Sequence, residues 1–379
     1  MMIQEPAVSV RPTPRRKTVL LPVVGFILLC VAGIAVFAYL TARVGIVAEL
    51  VGLAGALLPV GPVVAVFLWI DRWEPEPARL LWLALAWGAF GATLTALLIN
   101  NTAEVVGDLL LGKGGGDTIA AVVSAPLIEE AAKAAFVLGI YLWKRQEFNG
   151  VVDGIVYAGM CAAGFAFTEN IYYFGRIFGE HGFGTAQTAG VIAAFILRGV
   201  MSPFIHPLFT VMTGIGIGVA AGTTTKWVKI AAPLAGYGTA VVLHALWNSA
   251  ATLGNATTFL NMYFLIMLPV FVLAVVLVNW ARKREQKIVA AALPRLVGEG
   301  LIAASEVDIL ADLKRRREWR RKAARKAGPG AGRAVADYQT AVTELAFHRH
   351  SHADDEAERL LEQAVRVSRA TAVSAARRQ

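Results

Sequence analysis

Apolar residues in this chain come in runs of 20 or more, at about 19–40, 46–70, 78–100, 118–143, 151–174, 189–223, 229–252 and 258–281. About 20 apolar residues make a helix long enough to cross the roughly 30 Å hydrocarbon core of a bilayer. Backbone polar groups find no water there, so runs of this length are restricted to helices that satisfy their own N–H and C=O groups. The sequence therefore predicts an all-α fold, a polytopic membrane helix bundle of about eight transmembrane helices. Composition agrees: 56% of residues are hydrophobic and mean hydropathy is +0.58. The sixth run is too long for one straight span and contains Pro203 and Pro207, so a kink or break is expected there. The first run is too long for a signal peptide, and no small-residue cleavage site follows it. Cys30 and Cys161 both fall inside runs and form neither a metal motif nor a disulfide framework.

Charge orients the bundle. The chain carries a net +9, and residues 1–17 and 282–379 are both strongly basic. Positive segments stay in the cytoplasm, so both termini are expected there, and an even number of spans satisfies this. The loops holding Lys144, Arg145, Lys226 and Lys229 then fall inside, and loops 101–117 and 175–188 fall outside. Three regions result: a disordered basic N-tail at 1–18, a transmembrane domain at 19–281 and a helical cytoplasmic tail at 282–379. The loop DRWEPEP at 71–77 is short and charged, and GKGGG at 112–116 reads as a flexible linker. In the tail, 288–326 reads as two helices with a turn near Gly298–Gly300. GPGAG at 328–332 breaks the chain, and 334–369 reads as a second helical pair joined at 348–355. The basic run 314–326 suits a solvated helix face or contact with anionic lipid headgroups, and the pI of 9.7 needs no nucleic acid to explain it. His348, His350 and His352 alternate on an expected loop, which is poor ligand geometry.

A charged group at bilayer depth costs at least about 2.5–3.5 kcal/mol on insertion scales, so intramembrane charges pair or serve chemistry. The fourth run carries Glu129, Glu130 and Lys133, and the fifth carries Glu169 and Asn170. Arg198, His206 and Thr210 lie in the sixth, His244 and Asn248 in the seventh. Glu129 and Lys133 stand four apart in the favourable order for a helical ion pair. With alternating span directions, these groups fall at comparable depth, in the middle to outer half. One such residue is accounted for by an interhelical hydrogen bond. Three carboxylates and two imidazoles on four successive spans form an inventory suited to a divalent metal and an activated water, or to general base catalysis without metal. A proton or ion relay in a transporter uses the same residue types and is the alternative. The soluble zinc-protease signature H-E-x-x-H is absent.

Four motifs occur in order on successive spans: E-E-x-x-K at 129–133, F-x-x-x-E-N at 165–170, H-P-L-F-T at 206–210 and H-x-x-W-N at 244–248. Over about residues 45–280 the chain resembles the PrsW family of bacterial intramembrane proteases, which is related to the CAAX-protease and bacteriocin-immunity membrane proteins. DRWEPEP is also similar to that family's pattern. The resemblance implies peptide-bond hydrolysis in a bacterial inner membrane. The substrate would be a membrane-anchored protein, of which an anti-sigma factor cut near the outer face is the best-known type. Glu129 and Glu130 match the paired-glutamate motif, Glu169 the second, His206 the third and His244 the fourth. Asn248 matches a position that helps hold the oxyanion in the CAAX branch. The family is classed as metallo, which implies a divalent metal such as zinc. On this reading His206 and His244, with Glu169 and Glu130, hold the metal or polarise water directly. Glu130 or Glu129 takes the water's proton. Asn248 donates to the oxyanion, an interaction worth about 2.7–4 kcal/mol in a soluble protease. Lys133 neutralises Glu129.

Overall fold

The computed structural model describes residues 20–145, 148–185, 190–351 and 355–377. The expected N-tail at 1–18 and His352 lie outside the described residues. No strand occurs among the described residues. Among the described residues, seven helices are long and apolar enough to cross a membrane. They are α1 (Leu20–Val44), α2 (Ile46–Ile70), α3 (Ala78–Leu111), α5 (Val151–His181), α6 (Val191–Ala221), α7 (Val228–Thr252) and α8 (Ala256–Gly298). The remaining expected span is also helical, as α4 over 115–143, but Glu129, Glu130 and Lys133 set it apart from the other seven in apolarity. The tail adds α9 (Leu313–Ser351) and α10 (Asp355–Arg377).

Helix α5 is the axis of the bundle. It packs against α2, α3 and α6, and most of its length is buried. Close approach explains its small residues. A Cβ on Gly154 would sit 2.0 Å from the Gly214 carbonyl oxygen of α6, and a Cβ on Gly88 of α3 would sit 1.8 Å from the Cys161 carbonyl oxygen. Small residues are how membrane helices bring their backbones together, because lipid supplies no hydrophobic drive between them. Facing lipid instead are large side chains such as Leu109, Leu110, Trp143 and Leu273.

Among the described residues, π-helical turns occur at Trp87–Ala92 in α3, Ala120–Ser124 in α4, Ile196–Met201 in α6 and Met262–Met267 in α8. Such turns concentrate near functional sites. Helix α6 breaks at Ser202–Phe204, after its π turn and around Pro203. Pro203 lacks the backbone donor a continuous helix needs.

Three expectations about the ends of elements change. Segments 101–111 and 175–181, expected as outer loops, are the ends of α3 and α5, because both helices extend past their most apolar stretch. His348 and His350 lie on α9 rather than on a loop. Helix α8 passes without interruption through the expected boundary at 281. With 43 residues it is about 65 Å long at 1.5 Å per residue, so it outreaches the bilayer and enters the tail. There Leu293 and Leu296 join Leu301, Leu310, Tyr338, Val342 and Leu345 in a separate core. The turn at Glu299–Gly300 and the non-helical backbone at Ala327–Gly328 fall where the sequence places breaks. Trp73, from the loop between α2 and α3, is buried with Val289, Ala346 and Phe347, and so fastens the tail to the bundle.

Candidate active site

Helix α4 presents Glu129, Glu130 and Lys133 to the space enclosed by α3, α5, α6 and α7. Glu130 is fully buried and fully engaged. Its Oε1 lies 2.7 Å from Lys133 Nζ and 3.1 Å from His244 Nδ1, and its Oε2 accepts a hydrogen bond from Thr210 Oγ1 at 2.8 Å. Lys133 also lies 3.9 Å from Glu129 Oε2, 3.5 Å from His206 Nδ1 and 4.1 Å from the centroid of the Phe165 ring. The i,i+4 pair with Glu129 expected from spacing is therefore the longer contact, and Glu130 is the principal counter-ion.

Glu169 is held from α6. Its Oε2 is 2.6 Å from Arg198 Nη2 and 2.6 Å from His206 Nε2. The π turn Ile196–Met201 carries Arg198, which also donates to Asn170 Oδ1 at 2.9 Å and stacks 4.0 Å from the centroid of the Tyr173 ring. Past the break, α6 resumes at Ile205 and sets His206 against His244, with ring centroids 5.3 Å apart. Phe209, one turn on, stacks on His244 at 4.9 Å. Each imidazole thus has one nitrogen on a carboxylate, His244 Nδ1 on Glu130 and His206 Nε2 on Glu169. Carboxylates on the far nitrogen are the usual way proteins orient ligating histidines.

Glu129 is the exception in this network. Its Oε1 accepts a long hydrogen bond from Asn100 Nδ2 at 3.3 Å. Its Oε2 is buried with no hydrogen-bond partner, and His244 Nε2 lies 3.9 Å away. A buried carboxylate oxygen without a partner costs free energy, so an absent proton donor, water or cation belongs at this point. Glu129, His206 and His244 each offer a ligand atom within 4.8 Å of the other two. Two imidazoles and a carboxylate are a familiar catalytic-zinc donor set that keeps a position open, so these residues fit a divalent metal. This grouping brings in Glu129 beside the expected histidines, while both Glu130 oxygens are taken by Lys133, His244 and Thr210, and Glu169 Oε2 by Arg198 and His206.

Asn248 makes a bond that the sequence does not suggest. Its amide donates to the Ala121 carbonyl at 2.8 Å, inside the π turn that precedes Glu129. That turn also holds Ser124, which donates to Asn100 Oδ1 at 2.8 Å. Asn248 and Asn100 therefore fix the entry of α4. Sequence reasoning missed Asn100 and Ser124. The only signal was the polar pair Asn100–Asn101 closing an apolar run. Arg198 was visible as an intramembrane charge but had no assigned partner.

The description "PrsW family intramembrane metalloprotease" matches residues 76–274, just over half the chain. Protease PrsW of Geobacillus kaustophilus (strain HTA426) is 27% identical over 156 residues, covering 41% of this chain. The chain spans about 60% of the length of that relative. No solved structure matches. The chain is a multi-pass membrane protein, and it belongs to the PrsW family of intramembrane metalloproteases.

Proposed function

We propose that the protein is an intramembrane endopeptidase that hydrolyses a peptide bond of a membrane-anchored protein, with Glu129, His206 and His244 around the attacking water. The observation that carries this reading is the buried Oε2 of Glu129, which makes no hydrogen bond and has Lys133 Nζ and His244 Nε2 no closer than 3.9 Å, beside two imidazoles each with one nitrogen fixed by a carboxylate. Glu129, His206 and His244 are the residues that would hold a divalent metal, zinc by the family's class. When bound, such an ion supplies a water of lowered pKa.

The rest is done by the chain's own groups. Glu130 orients His244, and Glu169 orients His206. Lys133 and Arg198 offset the two carboxylates, so the glutamates persist as anions in a low-dielectric site. Glu129 Oε2 faces the water, as proton acceptor where no metal is held and as ligand where one is. Asn248 acts through α4, by holding the Ala121 carbonyl.

The family's best-known substrate type, a membrane-bound anti-sigma factor cut near its outer face, is the expected class. The setting is a bacterial inner membrane with both termini cytoplasmic. Co-expression with a tagged single-span protein tests the reading: a fragment cut within the span must appear with the wild type and disappear with Glu129→Gln.

A further inference from the structure

Away from the catalytic cluster, an apolar cavity of about 330 Å³ lies among α2, α6 and α8. It runs from Phe204, Pro207 and Phe271 to Trp69, Val278 and Asn279, and every side chain lining it except Asn279 is apolar. Val66, Trp69 and Val275 are exposed on its outer side, so it opens laterally toward lipid. Water needs about 10–15 Å³ and two to four polar partners. This cavity has the room and lacks the partners, so hydrocarbon is the matching occupant.

Its cytoplasmic end is basic. Arg282 is the first charged residue after the apolar stretch of α8. Its guanidinium lies 3.8 Å from the centroid of the Trp69 ring, and its Nε is buried with no hydrogen-bond partner. Arg72 follows the end of α2, and Arg317 and Arg320 approach from α9. Among the described residues none of these four is in an ion pair within 4.0 Å. Burial, then the charge of Arg317, lowers the pKa of Arg72. Burial, then Arg317 and Arg72, lowers that of Arg320. The guanidinium groups of Arg72, Arg317 and Arg320 thus crowd one another with no carboxylate within 4.0 Å.

The acids of the loop between α2 and α3 do not cancel them. Asp71 accepts from the Glu76 backbone N–H, Glu74 accepts from Asn149, and Glu76 accepts from Tyr157. Burial pushes Asp71 and Glu74 up to about 8 and Glu76 up to about 11, which leaves them largely protonated at neutral pH. Glu285, one turn beyond Arg282, is the acid whose charge Arg282 feels most, but the two make no ion pair within 4.0 Å, which leaves the Arg282 fork open.

We propose that the cavity holds an acyl chain of an anionic phospholipid of the cytoplasmic leaflet, whose phosphate is bound by Arg282 and Arg72 with Arg317 and Arg320 behind. A guanidinium presents a fork of donors that matches phosphate oxygens, and Trp69 holds the Arg282 fork at the cavity mouth. The lipid links the bundle to α9 of the tail.

Native mass spectrometry of the full-length protein in detergent, titrated with phosphatidylglycerol or phosphatidylcholine, tests this. The wild type is expected to retain phosphatidylglycerol at least tenfold more tightly than phosphatidylcholine. Arg72→Gln/Arg282→Gln should abolish that preference. Ala274→Trp, which fills the cavity, should lower phosphatidylglycerol retention by a similar factor, and this variant decides the matter if the double variant fails to fold. Excess inorganic phosphate should not displace the lipid. Equal retention of the two lipids by the wild type, unchanged retention by the folded variants, or displacement by phosphate would each overturn the proposal.

Discussion

Lys133 Nζ lies 2.7 Å from Glu130 Oε1, with the Phe165 ring beneath it, and both charged side chains are fully buried. Removing one member of a buried pair strands the other and costs about 3–5 kcal/mol, whereas replacing both is far milder. Lys133→Met should therefore lower the thermal unfolding midpoint in detergent sharply, and Lys133→Met/Glu130→Gln should recover much of the loss. A double variant no more stable than the single would show that the pair is not the source of the effect.

Activity should divide the two adjacent glutamates by role. Glu129→Gln keeps an oxygen for Asn100 but removes the acceptor facing the water. Cleavage of a co-expressed single-span substrate should fall by about 10²–10⁴, the usual scale for a general base, with insertion and melting unchanged. If the wild type instead drives proton-coupled flux in proteoliposomes and cuts nothing, the transporter reading takes over.

Metal content follows from the same geometry. Elemental analysis of purified wild-type protein should find about one divalent ion per chain, lost in His206→Ala/His244→Ala and in Glu129→Ala. Glu169→Gln leaves the three ligands in place but loosens the orientation of His206 and removes the counter-charge of Arg198, and should weaken metal affinity by about 10–100-fold. Equal metal content in the wild type and the double histidine variant would remove the metal from the mechanism.

Stability should decline with rising pH through the loop between α2 and α3. Burial keeps Asp71 and Glu74 protonated to about pH 8 and Glu76 to about pH 11, whereas unfolded carboxylates release their protons near about 4. The folded state binds more protons, so these groups contribute fully below about pH 4 and lose that contribution as pH rises toward 8, with Glu76 continuing beyond. Glu76→Gln keeps an acceptor for Tyr157 and should flatten the curve. Melting temperatures from pH 5 to 9 that are identical for wild type and variant would refute this.

Orientation can be read with a thiol reagent that does not cross membranes. A cysteine at Lys113, in the turn between α3 and α4, should be labelled in intact cells, and one at Lys326 should not. The reverse pattern would invert the topology.

Much of this arrangement is legible in the sequence because hydrophobic run length and charge are one-dimensional signals. The segment 118–143 with its three charges, the break beside His206 and the four motifs can all be found by reading along the chain. Partner choice across helices cannot. Spacing on α4 favours Glu129 for Lys133, but His244 and Thr210 converge on Glu130 from α7 and α6 and draw the ammonium with them. The bond from Asn248 to Ala121 depends on a π turn that exposes a carbonyl, and the capture of Trp73 by the tail depends on α8 continuing past the membrane. None of these leaves a periodic trace.

Helix α8 contains no proline between Val270 and Leu293, so one stiff rod joins the lipid-facing wall to the core of the tail. Its backbone hydrogen bonds leave no pivot at the membrane surface, and Trp73 pins the same junction from the side. A torque applied to the tail by anything that binds it would therefore be delivered as tilt at Phe271, whose ring packs 5.6 Å from that of Phe204 in the break just before His206. In mechanical terms the tail is one arm of a lever, and its other arm ends next to the break that precedes His206.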